Sequence, residues 1–213
     1  MPTERMVPTA HGEARVVARR AKRPIATLVL THGAGGGIDA PDLVRLARTL
    51  PQHDVSVSLV EMPWRVQGKK LAPRPPVIDE CYLAALGAMR MRSPLVLGGR
   101  SAGARSACRI ARDAGARGVL ALSFPLHPPG RPEKSRLDEL QHARVGTLVV
   151  QGERDPFGTP AEFPANVDLV AVPEADHSFR VPKSATTDQA AALATVLEAT
   201  LAWIPRLLGN PRG

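Results

Sequence analysis

A serine hydroxyl becomes a nucleophile when an imidazole takes its proton and a carboxylate holds that imidazole in the right tautomer. The chain offers such a set in order: Ser101 within Gly99-Arg100-Ser101-Ala102-Gly103, Asp155 within Gly152-Glu153-Arg154-Asp155-Pro156, and His177 within Ala175-Asp176-His177-Ser178-Phe179. A serine on a tight strand-to-helix turn is forced into a strained backbone and tolerates only small flanking residues. Gly99 and Gly103 meet that need. The turn predicts a hydroxyl held above the C-terminal edge of a sheet, with the next helix aiming its first N–H groups at developing negative charge. A tetrahedral intermediate needs two such donors. Ala102 offers one, and the stretch His32-Gly33-Ala34-Gly35-Gly36-Gly37 offers the other, from Ala34 or Gly35. As a dinucleotide-binding loop that stretch fits poorly, because Ile38 stands where the third glycine belongs.

These residues can meet only if the elements before them end at one edge. Residues 25–31 form the continuous apolar run of a strand covered on both faces, and they lead into the His32 loop. A helix opening at Asp39 or Pro41 carries Leu43, Leu46, Ala47 and Leu50 at helical spacing and closes at Pro51. Strands are predicted at 55–60, at the run before Ser101, at 119–124, 145–151 and 167–172. Helices are predicted at 77–90, from Ser101 to about Ala114, and from about Thr187, where Leu193, Leu197, Leu201 and Ile204 share a face and Pro205 ends or kinks the helix. Residues 1–22 form an N-terminal segment in which 16–18 read as a short edge strand. The alternation predicts an α/β fold in one domain over 1–213: a mostly parallel, doubly wound sheet with helices on both faces and ligands beyond the carboxyl ends of the strands. The connection 125–132 is too short for a folded lid, so the domain is expected to be compact.

With 213 residues, 44% of them hydrophobic, the chain can bury roughly 70% of its unfolded surface. Charges at Glu4, Arg5, Glu13 and Arg15 interrupt any leader or membrane span near the start, so a cytoplasmic protein without a membrane partner is expected. Cys81 and Cys108 lack partner spacing and read as reduced packing residues. The net charge of +8 raises nucleic acid as a partner, yet the basic residues are scattered among helices and loops, aromatics are 3%, and no recognised nucleic-acid motif occurs, so nucleic acid is not the expected partner. A solvated, arginine-rich surface is the expectation. Arg65, Lys69, Lys70 and Arg74, interleaved with Pro and Gly, read as loop charge, with Arg65, Lys69 and Lys70 the candidates to steer an anionic acyl substrate. The sequence carries no signal for an oligomeric state.

Five motifs together resemble the α/β-hydrolase superfamily of the dienelactone-hydrolase-like kind, and within it a small type represented by a testis-expressed protein and a chromatin-complex subunit. They are Thr31-His32-Gly33-Ala34-Gly35-Gly36, Gly98 to Gly103 around the serine, Pro125-Leu126-His127-Pro128-Pro129-Gly130, Gln151 to Gly158 around Asp155, and Ala175 to Phe179 around His177. The order Ser, Asp, His is that of α/β-hydrolases. The resemblance implies acyl transfer to water from a small ester, thioester or lactone. Ser101 is then the nucleophile, His177 the base and Asp155 its orienting group, with no metal or organic cofactor. His32, Arg100, His127 and Arg65 are the candidate substrate contacts. Scaffold proteins resemble the same group, so a catalytically silent binding module is the second expectation.

Overall fold

The computed structural model describes residues 2–209. In chain order the strands are β1 (Thr3–Thr9), β2 (Gly12–Arg19), β3 (Ala26–Thr31), β4 (Val55–Glu61), β5 (Leu95–Arg100), β6 (Gly118–Leu122), β7 (Gly146–Gly152) and β8 (Asp168–Val172). The helices are α1 (Pro41–Thr49), α2 (Pro63–Val66), α3 (Pro75–Gly87), α4 (Ala102–Ile110), α5 (Leu137–His142) and α6 (Gln189–Leu207). The strands make one sheet in the order β1-β2-β4-β3-β5-β6-β7-β8. From β4 to β8 every pairing is parallel, while β2 runs antiparallel to β4 and to β1. This is the mostly parallel sheet with helices on both faces that the alternation predicts.

Side-chain alternation along the strands divides the core into two layers. On one side of the sheet Leu28, Leu30, Val96, Leu120, Leu148 and Val150 pack beneath α1 and α6, through Leu43, Leu46, Val196 and Ile204. On the other, Val29, Leu97, Val119, Ala121 and Val149 pack beneath α3 and α4, through Ile78, Tyr82, Ala104 and Ala107. Each buried leucine or valine contributes about 1.5–3 kcal/mol relative to exposure, so the helices are pinned by the same residues that make the strands. Helix α6 is long and apolar enough to cross a membrane by length and composition. Here Ala192, Val196, Trp203 and Ile204 instead close the core.

Several boundaries differ from expectation for local reasons. The short edge strand at 16–18 is part of an eight-residue strand, and β1 lies outside it as the true edge. Along β1 mostly exposed residues surround the buried Val7, so no apolar periodicity announces it. Pro41, not Asp39, opens α1, and a 3-10 turn (Leu50–His53) containing Pro51 follows it. Helix α4 ends at Ile110, four residues early, and α5 is an unforeseen short helix. Pro205 neither ends α6 nor removes its last turn: the helix continues to Leu207, which lies against Gly118 and Gly146 at the start of two strands.

Candidate active site

The elbow at Ser101 is strained in the way its neighbours foretell. Ser101 sits at φ 54° and ψ −112°, a conformation costing on the order of 1–3 kcal/mol for a residue with a side chain. Its N–H is held by the Leu122 carbonyl at 2.9 Å, which fixes the turn against β6. The two glycines are required by close approach. A β-carbon on Gly99 would lie 2.6 Å from the carbonyl carbon of Gly103, and one on Gly103 would lie 2.8 Å from the carbonyl oxygens of His32 and Thr31. The backbone of α4 therefore presses directly onto the end of β3, bringing the His32 loop to the serine.

Three strand ends converge here. His177 Nε2 lies 2.9 Å from Ser101 Oγ, and His177 Nδ1 lies 2.7 Å from Asp155 Oδ2. With the Nδ1 proton directed to the carboxylate, Nε2 is left to accept from the hydroxyl. Asp155 is buried at 1% exposure and also accepts from the Phe157 N–H at Oδ1 and from Gln151 Nε2 at Oδ2. The His177 loop is built to keep its shape. Asp176 Oδ1 accepts from the N–H groups of Ser178 and Arg180, Phe179 at φ 51° anchors in the core, and the Phe157 ring lies 4.3 Å from the imidazole.

The glycine-rich loop meets the serine through Gly33, where a β-carbon would stand 3.3 Å from Ser101 Cβ. Ala34 and Gly35 follow on the exposed side of that contact. Ala102 is the first residue of α4, whose N–H has no acceptor within the helix. The loop and the first turn of α4 thus both adjoin the serine. Trp64 on α2 braces the loop, donating from Nε1 to the Ala34 carbonyl at 3.4 Å and meeting His32 edge to face at 5.1 Å.

Three of the expected substrate contacts have partners within the protein. His32 is 1% exposed: its Nε2 accepts from the Met62 N–H, so its Nδ1 donates to the Gly33 carbonyl, and the ring ties β4 to the loop. Burial pushes its pKa down against the opposing pull of the Gly33 bond, and the neutral ring fits that role. His127 is also buried, with Nδ1 at the Pro128 carbonyl and Nε2 at Glu162; those bonds raise its pKa. Arg100 donates from Nη2 to the His177 carbonyl at 2.9 Å, with Nε 3.8 Å from Asp42. Arg65 stays half-buried on α2, donating to the Lys69 carbonyl. Gln151 was not singled out from sequence. Its signal was a lone amide closing an apolar strand four residues before Asp155, and its Nε2 spans Asp155 Oδ2 and the Gly158 carbonyl.

Residues 24–205 match the family described as alpha/beta hydrolase domain. Among solved structures, an α/β serine hydrolase without lid from Xanthomonas campestris is similar at 16% identity and TM-score 0.73, covering 96% of this chain and 95% of that one. A dienelactone hydrolase from Anabaena variabilis is similar at 17% identity and TM-score 0.71, covering 96% and 98%. The esterase domain of a Rhodothermus marinus protein is similar at 14% identity and TM-score 0.70, covering 98% and 100%. At these identities the likeness shows the fold.

Proposed function

The chain belongs to the alpha/beta hydrolase domain family, and on that premise we propose that it is a serine hydrolase cleaving an ester, thioester or lactone of a small acyl substrate. The observation that carries this reading is the unbroken hydrogen-bond chain from Ser101 Oγ through His177 to the buried Asp155. Ser101 Oγ attacks the acyl carbon while its proton passes to His177 Nε2. Asp155 holds the tautomer and stabilises the imidazolium. The Ala102 N–H and an N–H of the 33–37 loop, from Ala34 or Gly35, receive the oxyanion; each such donor is worth about 10²–10³ in rate. His177 returns the proton to the leaving oxygen or sulfur as its bond to carbon breaks. Water, deprotonated by the same nitrogen, then releases the acid and restores the serine. No cofactor takes part.

Cytoplasmic residence belongs to the same proposal, supported by Cys81 and Cys108, both free and buried. The finer placement beside the testis-expressed and chromatin-subunit relatives rests on the five sequence motifs. Hydrolysis of p-nitrophenyl acetate and butyrate tests the reading. The wild type turns over and Ser101→Ala loses about 10⁴-fold or more in kcat, whereas equal rates for both forms exclude Ser101 as the nucleophile.

A further inference from the structure

We infer that the end of the sheet opposite Ser101 is a docking surface for the phosphate backbone of nucleic acid, because four adjacent strand-entry loops concentrate exposed arginine there. The inference does not rest on the hydrolase reading.

Loops that precede parallel strands all lie at one end of the sheet, away from the carboxyl ends that hold the site. The loop before β3 carries Arg20, Lys22 and Arg23, and the loop before β5 carries Arg90 and Arg92. Arg112 and Arg117 precede β6, and Arg144 precedes β7. These four loops hold eight basic side chains against one acidic, Asp113, and all eight basic residues are exposed. None of the eight forms an ion pair with a described residue. The neighbouring loop before β4, residues 50–54, carries His53 and Asp54 but no arginine or lysine, and Asp168 opens the outer strand β8. In sequence these charges are scattered; the parallel topology gathers them.

The loops are also stitched to one another. Ile25 N–H donates to the Asp54 carbonyl, Thr27 N–H to Pro94 and Arg117 N–H to Leu95, so the basic residues stand on a fixed platform. Strands β3, β5, β6 and β7 are consecutive in the sheet, so their entry loops span about 14 Å at ordinary strand spacing. Along that length one strand of duplex DNA presents about four phosphates. Seven of the eight side chains are arginine, whose planar fork suits phosphate oxygens. A lipid surface fits less well. Interfacial binding draws on apolar anchors beside the charge, and the exposed large apolar side chains, Met6, Val66 and Leu71, all lie elsewhere. With no aromatic residue in these loops to stack on bases, recognition is of the backbone and independent of base sequence.

The test is fluorescence anisotropy with a labelled duplex of mixed sequence, titrated across salt, with phosphatidylserine vesicles as a parallel ligand. Four neutralised phosphates give a log–log salt slope near −3.6, so affinity falls about 150-fold between about 50 and 200 mM salt. Arg92→Glu with Arg117→Glu cuts that fall to about 12-fold, as expected for two phosphates fewer. Arg92→Gln with Arg117→Gln serves if charge reversal unfolds the chain, judged by its melting curve. Lys69→Glu with Lys70→Glu, at the opposite end, leaves the slope unchanged. Absence of duplex binding at low salt, equal loss in both pairs of variants, or binding to vesicles without binding to duplex overturns the proposal.

Discussion

Substituting Arg100 strands a buried charge, and the consequence can be worked out from the structure. Asp42, in the first turn of α1, is 1% exposed, and neither carboxylate oxygen has a hydrogen-bond partner among the described residues. Arg100 Nε at 3.8 Å is its counter-charge. Breaking a buried pair from one side costs about 3–5 kcal/mol, whereas replacing both partners by apolar residues is close to neutral. Arg100→Met is therefore expected to lose about 3–5 kcal/mol in urea unfolding at about pH 8. Asp42→Leu combined with Arg100→Met returns to within about 1–2 kcal/mol of wild type, the residue being the lost bond to the His177 carbonyl. Burial pushes the Asp42 carboxyl up against the pull of Arg100. A carboxyl raised in this way adds stability that is full below its unfolded pKa and is lost as pH rises through the folded value. Removing the cation raises it further, so the Arg100→Met penalty grows from about pH 5 to about pH 8, because the stranded carboxyl holds its proton longer than the paired one. A penalty equal at both pH values, with no recovery in the double variant, refutes the ion-pair account.

Three further outcomes follow from particular contacts. Gly103→Ala, whose new methyl meets two carbonyl oxygens at 2.8 Å, is expected to lower stability by about 1–3 kcal/mol, while Gly35→Ala, with nothing within 4 Å, leaves the melting temperature unchanged. Gln151→Leu removes the donor to Asp155 Oδ2 and is expected to lower kcat about tenfold with KM little changed, read with p-nitrophenyl butyrate; a change confined to KM contradicts that role. The pKa of His32 is held below its ordinary 6.5, so the stability it confers is full above that value and is lost as pH falls through the folded pKa. The melting-temperature advantage of wild type over His32→Gln therefore shrinks from about pH 8 to about pH 5, and an advantage that widens toward acid contradicts the neutral role.

The central strands were readable because burial on both faces leaves a continuous apolar run, and the elbow because a strained serine dictates its own neighbours. The hairpin of β1 and β2 was not, since one buried residue, Val7, among mostly exposed neighbours in β1 leaves little pattern. Ser101, Asp155 and His177 share a signal that survives in one dimension: each follows a strand in a distinctive turn. His32, His127 and Arg100 stand in equally distinctive turns, yet their partners are Met62, Glu162 and the His177 carbonyl, each about 30 or more residues away. Whether a polar side chain faces substrate or fastens two loops is settled by such distant partners. The arginine face was hidden for a related reason: a parallel sheet returns to the same end only after each crossover, so its loops are far apart in the chain.

Labelling with a fluorophosphonate, read by intact mass on wild type, Ser101→Ala and His177→Ala, tests most directly whether Ser101 is an activated nucleophile. The account predicts one adduct per chain on the wild type and none on either variant. An unlabelled wild type that is folded by its melting curve, or a labelled Ser101→Ala, contradicts it.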